Sequence, residues 1–279
     1  MKAPRRPQLT RASKPLTFEV EAINERGEAV PTPIAGEHPL TLYVDKREIV
    51  TLMTLGQAPE ALALGYLRNQ RLANSIADIA AVQVDWETAS VEVTTRKPLK
   101  GLADKMKKRT VTTGCGQGTV FGDLMEEIDS IKLRDDVTLT EEALHALLDA
   151  VRRHEAIYKE AGAVHGCALA TNDAAGVKVL YFIEDVGRHN AVDKLVGHLA
   201  ATSWPLRDLG LLVSGRVSFE IVQKAAVAGL SLVCGVSAAS TLAVELAEEL
   251  EMTVIGFLRP TGFTLYTGAH RVRGLEPLT

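Results

Sequence analysis

Cysteine is scarce in this chain, with three in 279 residues, at Cys115, Cys167 and Cys234. So few and so scattered, they exclude a disulfide framework and leave no close pair to seed a structural zinc site. No segment reaches the roughly 18 uninterrupted apolar residues of a membrane helix. Excess positive charge is absent too. The formal net charge of -4 gives no global attraction to nucleic acid or anionic lipid. Met1 to Pro15 carries Lys2, Arg5, Arg6, Arg11 and Lys14 but no acid and no apolar stretch. The Arg5-Arg6 pair therefore lacks the hydrophobic segment of an export signal. These absences predict a cytoplasmic protein with a solvated tail over Met1 to Pro15, with neither a nucleic-acid partner nor a membrane association.

What is present fits a soluble globular chain long enough for two domains, with 46% hydrophobic and 24% charged residues. Residues 1–36 read as tail and lead-in, and 37–122 as a small α+β domain. In that domain Leu40-Val44 and Ile49-Met53 read as strands around Asp45-Lys46-Arg47. A short helix follows, with Pro59 in its first turn, and then a hairpin, Val82-Trp86 and Val91-Thr95, with alternating apolar and polar residues. Lys97 to Ile131 reads as a loop reaching a surface. Thr138-Leu139-Thr140-Glu141 predicts a helix start, with the helix running to about Glu160.

Residues 123–279 repeat a strand–turn–helix grammar, which predicts an α/β domain whose mostly parallel sheet is covered on both faces. The strands are Val177-Ile183, Leu209-Val213, Leu230-Val236 and Val254-Leu258, the last followed by an extended return, Phe263-Tyr266. The polar segments fall where these strands end, and ligands bind outside such ends in open α/β sheets. Three of the turns bring an arginine: Arg188, Arg216 and Arg259. Glycine beside arginine and the starts of helices favour an anion, so the turns together predict a pocket for a large ligand bearing pyrophosphate.

Cys167 and Cys234 lie in apolar runs and read as buried thiols. Cys115 differs. It sits in Thr113-Gly114-Cys115-Gly116-Gln117-Gly118, and Lys105, Lys107, Lys108 and Arg109 precede it without a carboxylate between Lys105 and Gly122. Nearby positive charge lowers a thiol pKa and favours the nucleophilic thiolate. An anion-binding glycine turn in which the cysteine is incidental explains the spacing equally well. His165-x-Cys167 lacks the glutamate and the Pro-Cys-x-x-Cys of a zinc deaminase, so no metal site is expected. His189 and Asp193 share a helix face and could form an oriented base. Ligand binding or a structural role, shared with Asp185 and Arg188, fits the pattern better.

Three longer segments then carry a resemblance: Glu184 to Lys194 (EDVGRHNAVDK), Ser214 to Lys224 (SGRVSFEIVQK) and Gly256 to Phe263 (GFLRPTGF). With Glu60-Gly65 and Gly162-His165, they resemble signature segments of the formate dehydrogenase accessory sulfurtransferase family, FdhD, in order from about Pro39 to Arg271. The resemblance implies a three-layer, cytidine-deaminase-like α/β/α domain without zinc. It implies a sulfur carrier that takes persulfide sulfur from a cysteine desulfurase on Cys115. That sulfur then goes to the bis-molybdopterin guanine dinucleotide molybdenum cofactor, for formate dehydrogenase. It also implies cofactor contacts at Phe257, Leu258, Arg259, Pro260, Thr261 and Gly262, and a homodimer; Arg188, His189 and Arg216 stand as further cofactor-binding candidates from the turns themselves. Family members commonly carry Cys-x-x-Cys in the loop. Here Gly118 takes the second place, which implies a single-cysteine carrier or a cofactor-binding chaperone without sulfur chemistry.

Overall fold

Alternating apolar residues pair into strands from the first described residues onward. The computed structural model describes residues 6–99, 101–102, 131–173, 176–202 and 209–275. Its first part contains β1 (Gln8–Leu9), β2 (Thr17–Ile23), β3 (Ala29–Ala35), β4 (His38–Val44), β5 (Arg47–Thr54), helix α1 (Pro59–Asn69), β6 (Ile79–Asp85) and β7 (Ser90–Thr95). Five of these strands form one sheet in the order β1-β6-β7-β4-β5, while β2 and β3 make a separate hairpin. The inward residues of that sheet, among them Leu40, Leu42, Val82 and Val93, bury against Leu62, Tyr66 and Leu67 of α1. Leu62 and Tyr66 lie one helical turn apart, so one face of α1 serves this core.

The second part contains β8 (Leu139–Thr140), α2 (Glu141–His154), α3 (Ile157–Ala161), β9 (His165–Asp173), β10 (Gly176–Asp185), α4 (Arg188–Thr202), β11 (Leu209–Val213), α5 (Phe219–Val227), β12 (Leu232–Gly235), α6 (Thr241–Glu249), β13 (Thr253–Arg259), β14 (Gly262–Thr267) and β15 (Val272–Arg273). Its sheet runs β10-β9-β11-β12-β13-β14. Side chains alternate between two cores. Leu169, Leu211, Val213, Val233 and Val254 face α4, α5 and α6, while Ala168, Ala170, Leu212, Leu232 and Ile255 face α2. Helices therefore cover both faces, as the alternating grammar predicts.

The sheet is mixed rather than mostly parallel, and this corrects the sequence expectation. β9 inserts antiparallel between β10 and β11, and β14 returns antiparallel on β13. The sequence reading missed β9 because His165 to Asp173 is rich in small residues and lacks a β-branched pattern. The directions of β10, β11, β12 and β13 nevertheless agree, so all four end on one edge.

Two further expectations change. The N-terminal stretch is not free from Gln8 onward: β1 pairs with Ala81 and Val82, and the Ala12 N–H donates to Glu60. The long helix expected to reach Glu160 stops at His154, and α3 restarts at Ile157. The cause lies far away in sequence. The Glu184 carboxylate accepts the N–H groups of Ala156, Ile157 and Tyr158 at 2.9–3.2 Å, capping a new helix start. The cap of α2 is Thr140, whose hydroxyl accepts the Ala143 N–H, rather than Thr138.

The two parts meet helix to helix. A side chain at Gly65 of α1 would strike the backbone of Asp193, and one at Gly197 of α4 the backbone of Ala61. The missing Cβ atoms let α1 and α4 cross backbone against backbone. Among the described residues no helix is long and apolar enough to cross a membrane.

Candidate functional site

The common edge of β10, β11, β12 and β13 collects the polar turns. Asp185 ends β10 and anchors the start of α4. Its carboxylate accepts the Gly187 N–H at 3.0 Å and the Asn190 side-chain amide at 3.2 Å. It also reaches into the first part of the chain, accepting the Thr54 hydroxyl at 2.6 Å and the Leu55 N–H at 3.3 Å. A buried ion pair with Lys194 completes its shell.

One helical turn into α4, Asp193 repeats the arrangement. It pairs with Lys224 of α5 at 2.8 Å and accepts the Asn69 amide of α1 at 2.6 Å. Both acids are fully buried, and a buried carboxylate is tolerable only when paired and hydrogen-bonded like this. Asp193 therefore does not orient His189, and the oriented-base arrangement is not formed.

Above these pairs lies an open cleft of about 420 Å³, lined by Thr51, Leu52 and Met53 of β5, His165, and Val186 to Asn190. Arg188 lies across the neighbouring turn: a Cβ on Gly215 would meet its Cδ at 3.0 Å and His165 Nδ1 at 3.5 Å. Ser214 and Gly166 exchange hydrogen bonds, and the Ser214 hydroxyl lies 3.4 Å from His165 Nδ1. Arg216 follows on the exposed side of the turn.

His189 is 5% exposed, and among the described residues neither of its ring nitrogens has a hydrogen-bond partner. Burial, with Lys224, Arg188, His165 and Arg216 around it, pushes its pKa down to about 2, so the ring is neutral. Burial and Arg188 lower His165 as well, against Asp185. The cleft is electropositive and sits at the first turn of the 15-residue helix α4, whose N–H groups favour an anion.

The predicted cofactor segment occupies the other end of the same edge. Arg259 ends β13, Pro260 and Thr261 form the tip, and Gly262 begins β14 opposite Arg259. Leu258 is buried in the core beneath α2. Phe257 is 38% exposed with φ 48°, and the Arg259 guanidinium lies 5.5 Å from its ring centre. β10 and β13 are four strands apart in the sheet order, about 19 Å at the usual strand spacing. The structure thus brings Arg188, His189 and Arg216 together and sets Arg259 apart from them. The three arginine turns share an edge, not a point.

Cys115 lies outside the described residues, as do its basic neighbours. The other two thiols are placed. Cys167 is fully buried facing α4, with its pKa raised by burial, and Cys234 is fully buried beneath α2 and pushed up to about 12. Sequence reasoning missed Thr54, Asn69 and Lys224 as parts of the site's foundation. Lys224 could have been found, since a lysine inside the apolar run of α5 must find a buried partner.

The model of the FdhD/NarQ family matches residues 35–273. The sulfur carrier protein FdhD of Sulfurisphaera tokodaii is 34% identical over 244 residues, 86% of this chain and 91% of that one. Its namesake in Bacillus subtilis is 32% identical over 252 residues, 89% of this chain and 94% of that one. A crystal structure described as a formate dehydrogenase accessory protein, from Desulfotalea psychrophila, superposes with TM-score 0.74. It covers 92% of this chain and 100% of its own, at 21% identity, and so supports the fold.

Proposed function

Because the chain belongs to the FdhD/NarQ family, we propose that it is a sulfur carrier acting in formate dehydrogenase maturation, with Cys115 as the carrying thiol. In this reading the Cys115 thiolate attacks the outer sulfur of a desulfurase persulfide. The sulfur–sulfur bond there breaks, a new one forms on Cys115, and the desulfurase thiolate leaves. The outer sulfur then passes to reduced molybdenum of the cofactor, bound as a substrate: the sulfur–sulfur bond on Cys115 breaks, Cys115 leaves as thiolate, and the substrate metal supplies the two electrons that bring the sulfur to the sulfido level. The cofactor's guanine dinucleotide ends rest on Arg188, His189 and Arg216 at one end of the sheet edge and on Phe257 to Gly262 at the other. A ligand of that length suits two clusters about 19 Å apart. The cytoplasm, where desulfurases and unfinished apoenzyme meet, is the expected compartment, and a homodimer is the expected assembly.

One observation carries the assignment of the thiol. Of three cysteines in the sequence, Cys167 and Cys234 are fully buried with raised pKa values, and a buried apolar thiol is inert. Cys115 is the one left for chemistry. The local run of lysines and arginine before it supplies the positive charge that a thiolate and a persulfide both need.

The second reading is a cofactor-binding chaperone without sulfur transfer, favoured by Gly118 standing where relatives commonly place a second thiol. Incubation with a cysteine desulfurase and cysteine, followed by intact mass measurement, separates the two. A gain of one sulfur, removed by reductant and absent in Cys115→Ala, is expected. No gain in the unaltered chain would leave the chaperone.

A further inference from the structure

The β2–β3 hairpin is the element that the rest of the molecule leaves uncovered. Among the described residues no third strand pairs with it. Its base is fixed. The Thr17 hydroxyl donates to Glu160 of α3 at 2.9 Å, the Phe18 ring centre lies 5.8 Å from that of His38, and Ala35 packs on the cluster of Leu55, Ile157 and Val164. Beyond that base the pairing register sorts the side chains. Phe18, Val20 and Ala22 lie opposite Ile34, Thr32 and Val30, and these six share one face. Glu19 and Glu21 lie opposite Pro33 and Pro31 on the other face. Phe18, Val20, Ile23 and Ile34 are four of the ten large apolar side chains exposed among the described residues, a concentration that marks an interaction surface. A two-stranded hairpin is marginal in water by itself, so its apolar face needs something to meet.

How the arm meets a partner is restricted. Proline has no N–H. Pro31 and Pro33 stand in β3 with the pairing to β2 intact, so their missing donors fall on the outer edge of the arm. Strand addition at that edge is blocked, and the apolar face is what the arm offers.

A second copy suits this face poorly. Two seven-residue strands present about 23 Å by about 10 Å, or about 230 Å², well short of the roughly 800 Å² that each side of a stable dimer buries. A second arm also brings charge of the same sign, since residues 17–35 carry Glu19, Glu21, Glu25 and Glu28 against Arg26 alone. The complementary surface is an apolar patch rimmed by lysine and arginine. A contact of this size is transient, which suits a carrier that must hand over its load and leave. The arm also ends at Ala35, where the match to the family model begins. It therefore stands apart from the segments that hold the cofactor.

We propose that the β2–β3 arm docks the protein that receives the sulfur, the formate dehydrogenase apoenzyme, by seating Phe18, Val20 and Ile34 on an apolar patch with a basic rim. This rests on the maturation role proposed above and adds the surface through which the recipient is recognised. Sulfur loading from the desulfurase does not use the arm.

Biolayer interferometry between the full chain and purified formate dehydrogenase apoenzyme tests this, beside the mass measurement of sulfur loading on Cys115. Phe18→Ser combined with Ile34→Ser should weaken apoenzyme binding about tenfold or more and leave loading unchanged. Glu19→Lys combined with Glu21→Lys spares the apolar face, so it reads the rim even where the serines melt the hairpin. It should slow association about threefold at low salt, with the difference gone by about 0.5 M salt. Unchanged affinity in the serine variant, or an unchanged association rate in the lysine variant, would overturn the inference. Loss of sulfur loading in the serine variant would overturn it by giving the arm to the desulfurase. A change from dimer to monomer in sedimentation would overturn it by giving the arm to a second copy. Failure of the unaltered chain to bind the apoenzyme would overturn the recipient itself, and leave sulfur loading on Cys115 to its own measurement.

Discussion

The two ends of the sheet edge are built on opposite plans. At the β10–β9–β11 end, two carboxylates and two lysines are buried and mutually satisfied, and they fix the start of α4 before any ligand arrives. At the β13–β14 end, a two-residue hairpin tip holds an exposed aromatic ring and an exposed arginine against each other. One end is preorganised by the core, the other is presented to solvent. Preorganisation gives selectivity because little reorders on binding, whereas a presented tip can adapt to what docks on it. In the proposed function, the first end therefore reads the ligand and the second clasps it.

The sharpest way to break the contrast is to remove its deepest anchor. Asp185→Ala leaves Lys194 charged and unpaired in the core and frees the donors from Thr54 and Leu55. It should cost about 3–5 kcal/mol, seen as a collapse of the urea midpoint. If the midpoint barely moves, the preorganised end is not what holds the two parts together. Gly197→Val drives a branched side chain into the α1 backbone and should cost about 2–4 kcal/mol, read as a lowered Tm. An unchanged Tm would mean that the helices can separate at little cost.

Acid should expose the same end. His189 stays neutral when folded but takes a proton near pH 6.5 once unfolded. Its contribution is fully present above that pH. It should be lost at up to about 1.4 kcal/mol per unit as pH falls toward 2. Denaturant titrations between about pH 6.5 and 4.5 should show a shallower slope in His189→Asn, and an identical slope would place the ring in water. The smallest effect belongs to the presented end. Phe257→Gly relieves a positive φ and should leave stability within about 1 kcal/mol of the parent, while weakening guanosine diphosphate binding. A large loss of stability would show that the tip is part of the core after all.

How much of this was legible in the sequence depended on whether the determining contacts were local. The strands β4, β5, β11 and β13 and the helix α1 follow from apolar periodicity and a well-placed proline, and their boundaries agree within a few residues. The edge location of the polar turns was equally legible, because strand–turn–helix order dictates it. What the sequence withheld was long-range. Glu184 ends one helix and begins another from 26–28 residues away, and no local pattern announces that. β9 hides in small residues whose strand character comes from its two neighbours. In Glu184 to Lys194 the conspicuous acids proved to be foundation, while the His189 ring nitrogens are left without a hydrogen-bond partner among the described residues.

Glu184 and Asp185 are consecutive, so on a strand they point to opposite faces. One holds α3 and the other holds α4, and the strand's phase is thereby encoded in charge. A slip of one residue would aim the Glu184 carboxylate at Lys194 and leave the start of α3 bare. The irregularity in pairing between Val179 and Tyr181 lies just upstream, where slack can be absorbed without disturbing that phase. Insertions before Val179 should therefore be tolerated among descendants of this sequence, and insertions between Tyr181 and Gly187 should not. The pair works as a register key, checked each time the chain folds.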